Sequence, residues 1–402
     1  MAARKPKPID FIYVGSPQVD LRFLSLCLMS LLTGMEMDIF TPSFPELMGA
    51  FSITIEQVQL TLSLNFVAYA LSTLWIGPLA ERFNSRNITL LSLCVFITGS
   101  IFCYIAPTFE TLLVGRVLQG LGMSGPNVLS YAIVYEHYPN SRESYMGILN
   151  GVGAVTMGAA PVLGSYLNLW FGWRASFLTL LILSLICFAL SIKYLPKHDR
   201  PRKIKASLGL NTYIPLFKSK KFLWPAAVTL SISVCYFVFV GLAPIFYRED
   251  LHVSLEHFGM YQGALAASFG VMSFCSGMLY KKFGKEECFK ISIKLYALLG
   301  IIAGLYGFIL PTNPLVLTLI LIGSSMACAM PINITYAIAM GAVDGAAARA
   351  SGMLVAMRLV FSAAGLQVIA HFYDHTYLPL AVMIGAEAFL AWGIARKIVV
   401  RD

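Results

Sequence analysis

The chain has 402 residues, 58% hydrophobic and only 12% charged, where soluble domains carry about 25% charged residues. That balance excludes a soluble globule, because no core of this size encloses so much apolar surface, and it implies an integral membrane protein. The net charge of +9 suggests nucleic acid only if the basic residues share one soluble face; here they fall between apolar runs.

A bilayer crossing needs about 20 mainly apolar residues. After a polar tail at 1–20, such runs lie near 21–44, 57–79, 88–106, 111–135, 144–167 and 174–195. A basic linker at 196–221 with Pro196, Pro201 and Pro215 follows. A second set lies near 222–247, 256–280, 288–310, 314–340, 350–371 and 377–395. The expected fold is an all-α membrane protein of twelve transmembrane helices, called spans 1 to 12 below. They form two six-helix pseudo-repeated halves, 21–195 and 222–402. No cleavable signal peptide is expected, since span 1 is too long for a signal h-region.

The basic residues set the orientation. Arg4, Lys5, Lys7 and Arg22 precede span 1, Arg82 and Arg86 follow span 2, and Lys281, Lys282 and Lys285 follow span 8. The linker and the tail (Arg396, Lys397, Arg401) carry more, while Arg174 and Arg248 fall on the other side. By the positive-inside pattern, both termini are expected in the cytoplasm of a bacterial inner membrane.

An internal repeat supports two halves. Gly77-Pro78-Leu79-Ala80-Glu81-Arg82-Phe83-Asn84 closes span 2, and Gly277-Met278-Leu279-Tyr280-Lys281-Lys282-Phe283-Gly284 closes span 8, 200 positions later. Asn tolerates a left-handed turn almost as glycine does, so Asn84 and Gly284 are expected to make equivalent tight turns. Parallel repeats of this kind occur in transporters with a site between the halves. The eight cysteines are scattered through the spans without metal-ligand spacing and read as packing residues.

Charges inside spans are costly and mark the candidate site. On a continuous span 1, Asp38 lies roughly 9 Å from the outer end, and Arg116 in span 4 roughly 8 Å. Equal heights predict an Asp38–Arg116 ion pair. Glu36, two residues from Asp38, points to a face roughly 200° away; it is a further proton-coupling candidate, and if both carboxylates reach the cavity they repel each other. Arg358 in span 11 and Glu387 in span 12 also share a depth, which predicts a structural ion pair. Arg358 is alternatively a contact for an anionic substrate. Phe66, Tyr69, Tyr131, Tyr236, Phe239 and Tyr336 are candidates for an aromatic substrate cavity.

Several motifs resemble the major facilitator superfamily. Gly77 to Arg86 resembles its 2–3 loop signature, with Glu81 and Asn84 in place of the usual Asp and Gly. Arg116-Val-Leu-Gln-Gly120 resembles the span 4 signature. Ala160-Pro161-Val-Leu-Gly164-Ser165 resembles the span 5 antiporter signature with two glycines lost, and Gly158, Pro161 and Gly164 are its packing residues. Gly172-Trp173-Arg174 resembles the start of span 6 in drug:proton antiporters. Asp38-Ile-Phe-Thr-Pro-Ser-Phe-Pro45 resembles the bicyclomycin/chloramphenicol-resistance (Bcr/CflA-type) branch.

The resemblance implies a proton-coupled carboxylate on span 1 beside the span 4 arginine. It also implies a loop latch from Gly77, Glu81, Arg82 and Arg86, which Glu136 and Arg142 would join. The expected activity is proton-driven multidrug or metabolite export by a monomer with no cofactor beyond the proton gradient. A symporter or a dedicated carrier of a siderophore or anionic metabolite is the first alternative, and a transport-inactive sensor or assembly protein the second. No nucleophile–base constellation or phosphate-cradling loop is present, which argues against an enzyme.

Overall fold

The computed structural model describes residues 20–138, 142–196, 213–308, 313–342, 347–398 and 400; the side chains of 77, 81, 135, 136, 142–144, 154, 347 and 348 are not described. The described residues are helical with short connections. The long helices are α1 (Leu21–Glu36), α2 (Ile55–Phe83), α3 (Ser85–Ile105), α4 (Phe109–His137), α5 (Arg142–Phe171) and α6 (Arg174–Tyr194). The second half has α7 (Lys220–Ile245), α8 (Leu255–Phe283), α9 (Lys285–Tyr306), α10 (Pro314–Met340), α11 (Ala347–Phe372) and α12 (Leu378–Ala395). Eleven segments are long and apolar enough to cross a membrane, the first of them Leu21–Phe51, which runs on beyond α1. The exception among the long helices is α4, whose hydropathy is lowered by Arg116, Gln119, Ser124 and Asn127.

Helix starts follow capping chemistry. Asp20 accepts from the Arg22 and Phe23 backbone N–H groups at α1, Thr54 and Gln57 form a capping box at α2, and Asn313 caps α10. Each satisfies amides that have no intrahelical partner. Span 1 departs from expectation. Its helix stops at Glu36, residues 37–40 are not helical, Thr41–Ser43 form a 3₁₀ turn, and a short helix runs Phe44–Phe51. Pro42 and Pro45 stand at the starts of the last two elements. Proline removes an N–H and its ring clashes with the carbonyl four residues back, which for Pro42 is that of Asp38, so an α-helix cannot continue through 38–42.

The halves mirror each other at their turns. Asn84 has φ +81° and ψ 131°, and Gly284 has φ +81° and ψ 149°. The positive φ agrees with the repeat, but ψ is extended rather than left-handed helical, a region that glycine alone enters freely. Asn84 offsets part of that strain by accepting from the Arg86 backbone N–H at 2.8 Å. Asn84→Gly is therefore expected to raise stability by about 1 kcal/mol, measured as a higher unfolding midpoint of the purified protein. A lower midpoint would mean that the side-chain cap outweighs the strain.

Across the halves, α5 packs on α8 and α2 on α11, two pairs equivalent under the repeat. Within the first half, glycines draw α4 against its neighbours. A Cβ on Gly115 would lie 2.8 Å from the Cys103 backbone N of α3, and one on Gly120 would strike the Asn65 carbonyl of α2. These contacts hold α2 and α3 at backbone distance from the helix that carries Arg116.

Candidate functional site

The buried charge cluster differs from the predicted pair. Arg116 does not pair with Asp38; its Nη1 meets Glu36 Oε1 at 2.7 Å, with both side chains 0% exposed. Its Nη1 also donates to Gln119 Oε1 at 2.7 Å, and its Nε to the Thr61 carbonyl at 3.1 Å. Asn65 Nδ2 donates to Glu36 Oε1 at 2.9 Å and to the Arg116 carbonyl at 3.0 Å. Gln119 Nε2 continues the chain to Ser100 Oγ at 2.9 Å. Phe40, from the segment after α1, covers the guanidinium, with its ring centre 4.2 Å from Cζ. The correction follows from the helix break: the helical rise assumed for Asp38 ends at Glu36.

Asp38 lies elsewhere. It is 4% exposed, and no described side chain bonds its carboxylate. Thr41 Oγ1 donates to its carbonyl at 3.0 Å, which fixes the turn. Tyr236 on α7, in the other half, is within electrostatic reach of the carboxylate. The break is held by α5, because a Cβ on Gly164 would fall on the Ile39 carbonyl oxygen, which also accepts from Ser176 Oγ at 3.1 Å. Gly164 thus seats the segment that carries Asp38. Pro161 and Gly158 contribute differently: a Cβ on Gly259 of α8 would lie 3.2 Å from the Pro161 carbonyl, and one on Gly158 would lie 3.0 Å from Ala267 Cβ. Both belong to the α5–α8 contact between halves.

The aromatic candidates largely converge between the halves. Phe66 of α2 meets Phe237 of α7 edge-on at 5.1 Å, and Tyr236 meets the same ring at 5.4 Å. Tyr69 accepts a hydrogen bond from Asn127 Nδ2 and lies within electrostatic reach of Arg358 and Tyr336. Tyr131 donates to Asn150 Oδ1 at 2.8 Å and is within electrostatic reach of Tyr336, whose hydroxyl meets Ser351 Oγ at 2.6 Å. Phe239 does not join them. It packs on Tyr247 at 6.3 Å, beside a small void in the second half.

Arg358 and Glu387 do not form the predicted pair. Both α11 and α12 pack on α7 and barely touch each other. Glu387 accepts from Ser231 Oγ of α7 at 2.7 Å. Arg358 instead stands 5.6 Å over the Phe237 ring, its Nε buried with no hydrogen-bond partner. No described carboxylate neutralises it.

The face bearing Arg82, Arg86, Lys281 and Lys282, called the basic face below, differs from the opposite one. Arg86 Nη2 donates to the Ile192 carbonyl at 2.7 Å, inside its own half, and Arg82 lies 5.2 Å over Phe83. At Gly77, Glu81, Glu136 and Arg142 only the helical backbone is described, so the predicted latch contacts of these residues lie outside the described side chains. At the opposite face the halves are tied. Arg248 Nη2 meets Glu46 Oε1 at 2.6 Å, and Arg248 Nη1 donates to the Pro42 carbonyl at 3.0 Å. Gln59 Nε2 donates to the Gly241 carbonyl at 2.8 Å, Gln262 Nε2 to Thr41 Oγ1 at 3.3 Å, and Gln367 Nε2 to Ser63 Oγ at 3.0 Å. Sequence reasoning missed these residues. One signal pointed to them: Arg248 is a basic residue on the face where the others are scarce.

A family model described as the Major Facilitator Superfamily matches residues 26–366. The chain is 28% identical over 255 residues to the uncharacterized MFS-type transporter YdgK of Bacillus subtilis (strain 168), covering 62% of this chain and 63% of that protein. It is 28% identical over 236 residues to the multidrug resistance protein MdtL of Shigella dysenteriae serotype 1 (strain Sd197), covering 58% and 59%. The match thus spans about three-fifths of the length of these curated relatives. In fold, it superposes on the xylose transporter XylE from E. coli in a partially occluded inward-open conformation, with TM-score 0.73, 14% identity and coverage of 94% and 97%. A bacterial homolog of the human lysosomal transporter Spinster, inward-facing and occupied, gives TM-score 0.74 at 16% identity, with coverage of 94% and 96%.

Proposed function

The chain belongs to the Major Facilitator Superfamily, and on that premise we propose that it is a secondary transporter that exports a small organic compound in exchange for protons. The observation that carries this reading is Asp38. It is a buried carboxylate with no bonded side chain among the described residues, at a helix break seated by α5 and within electrostatic reach of Tyr236 on α7 of the other half. Rocking of the halves encloses or releases it. Only the charged form is costly to enclose, so the motion is linked to its proton. Glu36 and Arg116 act as the fixed electrostatic wall behind it. The proposal places the basic face in the cytoplasm of a bacterial inner membrane, so the ties at Arg248–Glu46 close the outer side and the cavity opens inward.

The relatives named for multidrug resistance support a drug as substrate, and the aromatic surface around Phe237 suits a lipophilic one. The Bcr/CflA-type branch rests on the Asp38–Pro45 segment alone. Arg358 favours a second reading. A guanidinium without a counter-charge between the halves suits a carboxylate- or phosphate-bearing metabolite, carried in either direction.

The test is accumulation of a fluorescent cation in efflux-deficient cells. Cells with the wild-type protein should retain less dye than empty-vector cells, and Asp38→Asn or an uncoupler should abolish the difference. Equal retention by wild type and empty vector would remove lipophilic cations from the reading. Uptake into proteoliposomes would then be followed with anionic compounds. There Arg358→Gln should raise the apparent KM about tenfold or more, as expected for a lost charged hydrogen bond. Proton-independent flux in both assays would overturn the role of Asp38, and no flux in either would leave the sensor reading.

A further inference from the structure

On the basic face, away from the contact between halves, α9 and α12 enclose a groove of about 690 Å³. Lys290, Lys294 and Arg396 stand around it, with Phe289, Ile293 and Ile398 among the apolar residues beneath. The charges are not balanced. Lys290 is held by Glu286 at 2.7 Å and Glu287 at 3.2 Å. Neither Lys294 nor Arg396 has a carboxylate partner among the described residues. Arg396 lies 3.7 Å over the Trp392 ring, which fixes its guanidinium at the rim.

Lys294 is the informative residue. It stands nine positions past the start of α9, about 14 Å along the helix, within a segment apolar enough to cross a membrane. Its neighbours Ile291, Leu295 and Leu298 are 61%, 44% and 54% exposed and make a lipid-facing stripe. An unpaired ammonium there is costly unless its long stem carries the charge back toward the headgroup layer. The groove is where that stem leads. Trp392, an amphipathic ring of the kind that sits at headgroup level, marks the same depth.

We propose that this groove binds the phosphate of an anionic phospholipid, with Lys294 and Arg396 as its counter-charges and the apolar floor receiving the start of an acyl chain. Two cations around an apolar floor on the lipid-facing perimeter fit a phosphodiester that arrives from the bilayer rather than from solution. A bound lipid would tie α9 to α12 and brace the outer wall of the second half.

The test is lipid titration of the full-length protein in detergent, read by its thermal unfolding midpoint. Phosphatidylglycerol should raise the midpoint; phosphatidylcholine with the same acyl chains should not. In Lys294→Gln/Arg396→Gln, half-maximal protection should need about thirtyfold more phosphatidylglycerol, from the loss of two surface charges. Lys294→Arg/Arg396→Lys should respond like the wild type. Equal protection by phosphatidylcholine, or an unchanged response of the double glutamine variant, would overturn the proposal. Full protection by inorganic phosphate alone would replace the lipid with a soluble anion. If the glutamine variant fails to fold, native mass spectrometry of the wild type decides the matter. It must retain phosphatidylglycerol in preference to phosphatidylcholine from an equal mixture, and no preference overturns the proposal.

Discussion

Replacing Arg116 with leucine is expected to lower stability by about 3–5 kcal/mol, the usual cost of removing one partner from a buried ion pair. The loss has identifiable parts. Glu36, 0% exposed, would be left without its counter-charge. Gln119 Oε1 and the Thr61 carbonyl would each lose their donor from Arg116, and Phe40 its stacked guanidinium. Exchanging Glu36 and Arg116 together for leucine should recover much of the loss, because a buried pair replaced by apolar groups is close to neutral. Thermal unfolding of the two single variants and the double variant measures the coupling directly. If the two losses simply add, the pair is not the organising contact of the first half.

Gly164→Ala is the second large effect. The added methyl would meet the Ile39 carbonyl oxygen and lie 2.8 Å from its carbon. The obstacle is backbone, so α5 or the segment after α1 must move, at about 1–3 kcal/mol. The displaced segment carries Asp38, so proton-coupled flux should fall further than the stability loss alone accounts for. Gly151→Ala provides the control on the same helix. Its methyl meets nothing within 4 Å, and the higher helix propensity should add up to about 1 kcal/mol. Both variants are read by unfolding midpoint and by flux. Equal behaviour would show that the close approach at Gly164 is irrelevant.

Much of the architecture is legible in the sequence because apolar length and the paired turns at Asn84 and Gly284 depend on local chemistry. The site is less so. Depth along a helix follows from counting residues, but azimuth depends on which helix stands next to it. Arg358 and Glu387 share a depth, yet α7 stands between them and gives Ser231 to one and Phe237 to the other. For Asp38 the missed signal was in the residues themselves. Pro42 and Pro45 interrupt the span, and once the helix stops at Glu36, Glu36 meets Arg116. The roughly 200° divergence of Glu36 and Asp38 assumed one continuous helix, and that premise ends with α1 at Glu36.

In the proposed transport cycle, the contact between α5 and α8 would work mechanically as a rolling bearing. It is made of small side chains and backbone: Gly158 against Ala267, Gly263 against the Gly158 carbonyl, Gly259 against Ser165 and Pro161. At these positions small groups and backbone meet, so little has to unmesh there if one helix turns on the other. From Gly158 to the start of α5 at Arg142 the lever is about 24 Å long. A tilt of about 10° at the bearing would swing that end by about 4 Å. The arm is not free of its own half: Ser30 Oγ of α1 donates to the Leu149 carbonyl at 3.0 Å, and Tyr131 of α4 to Asn150 Oδ1 at 2.8 Å, so α1 and α4 would move with it. Under the proposed exchange, a fold tied at one rim with a fulcrum at mid-height would turn a small adjustment near Asp38 into a wide displacement at the far mouth.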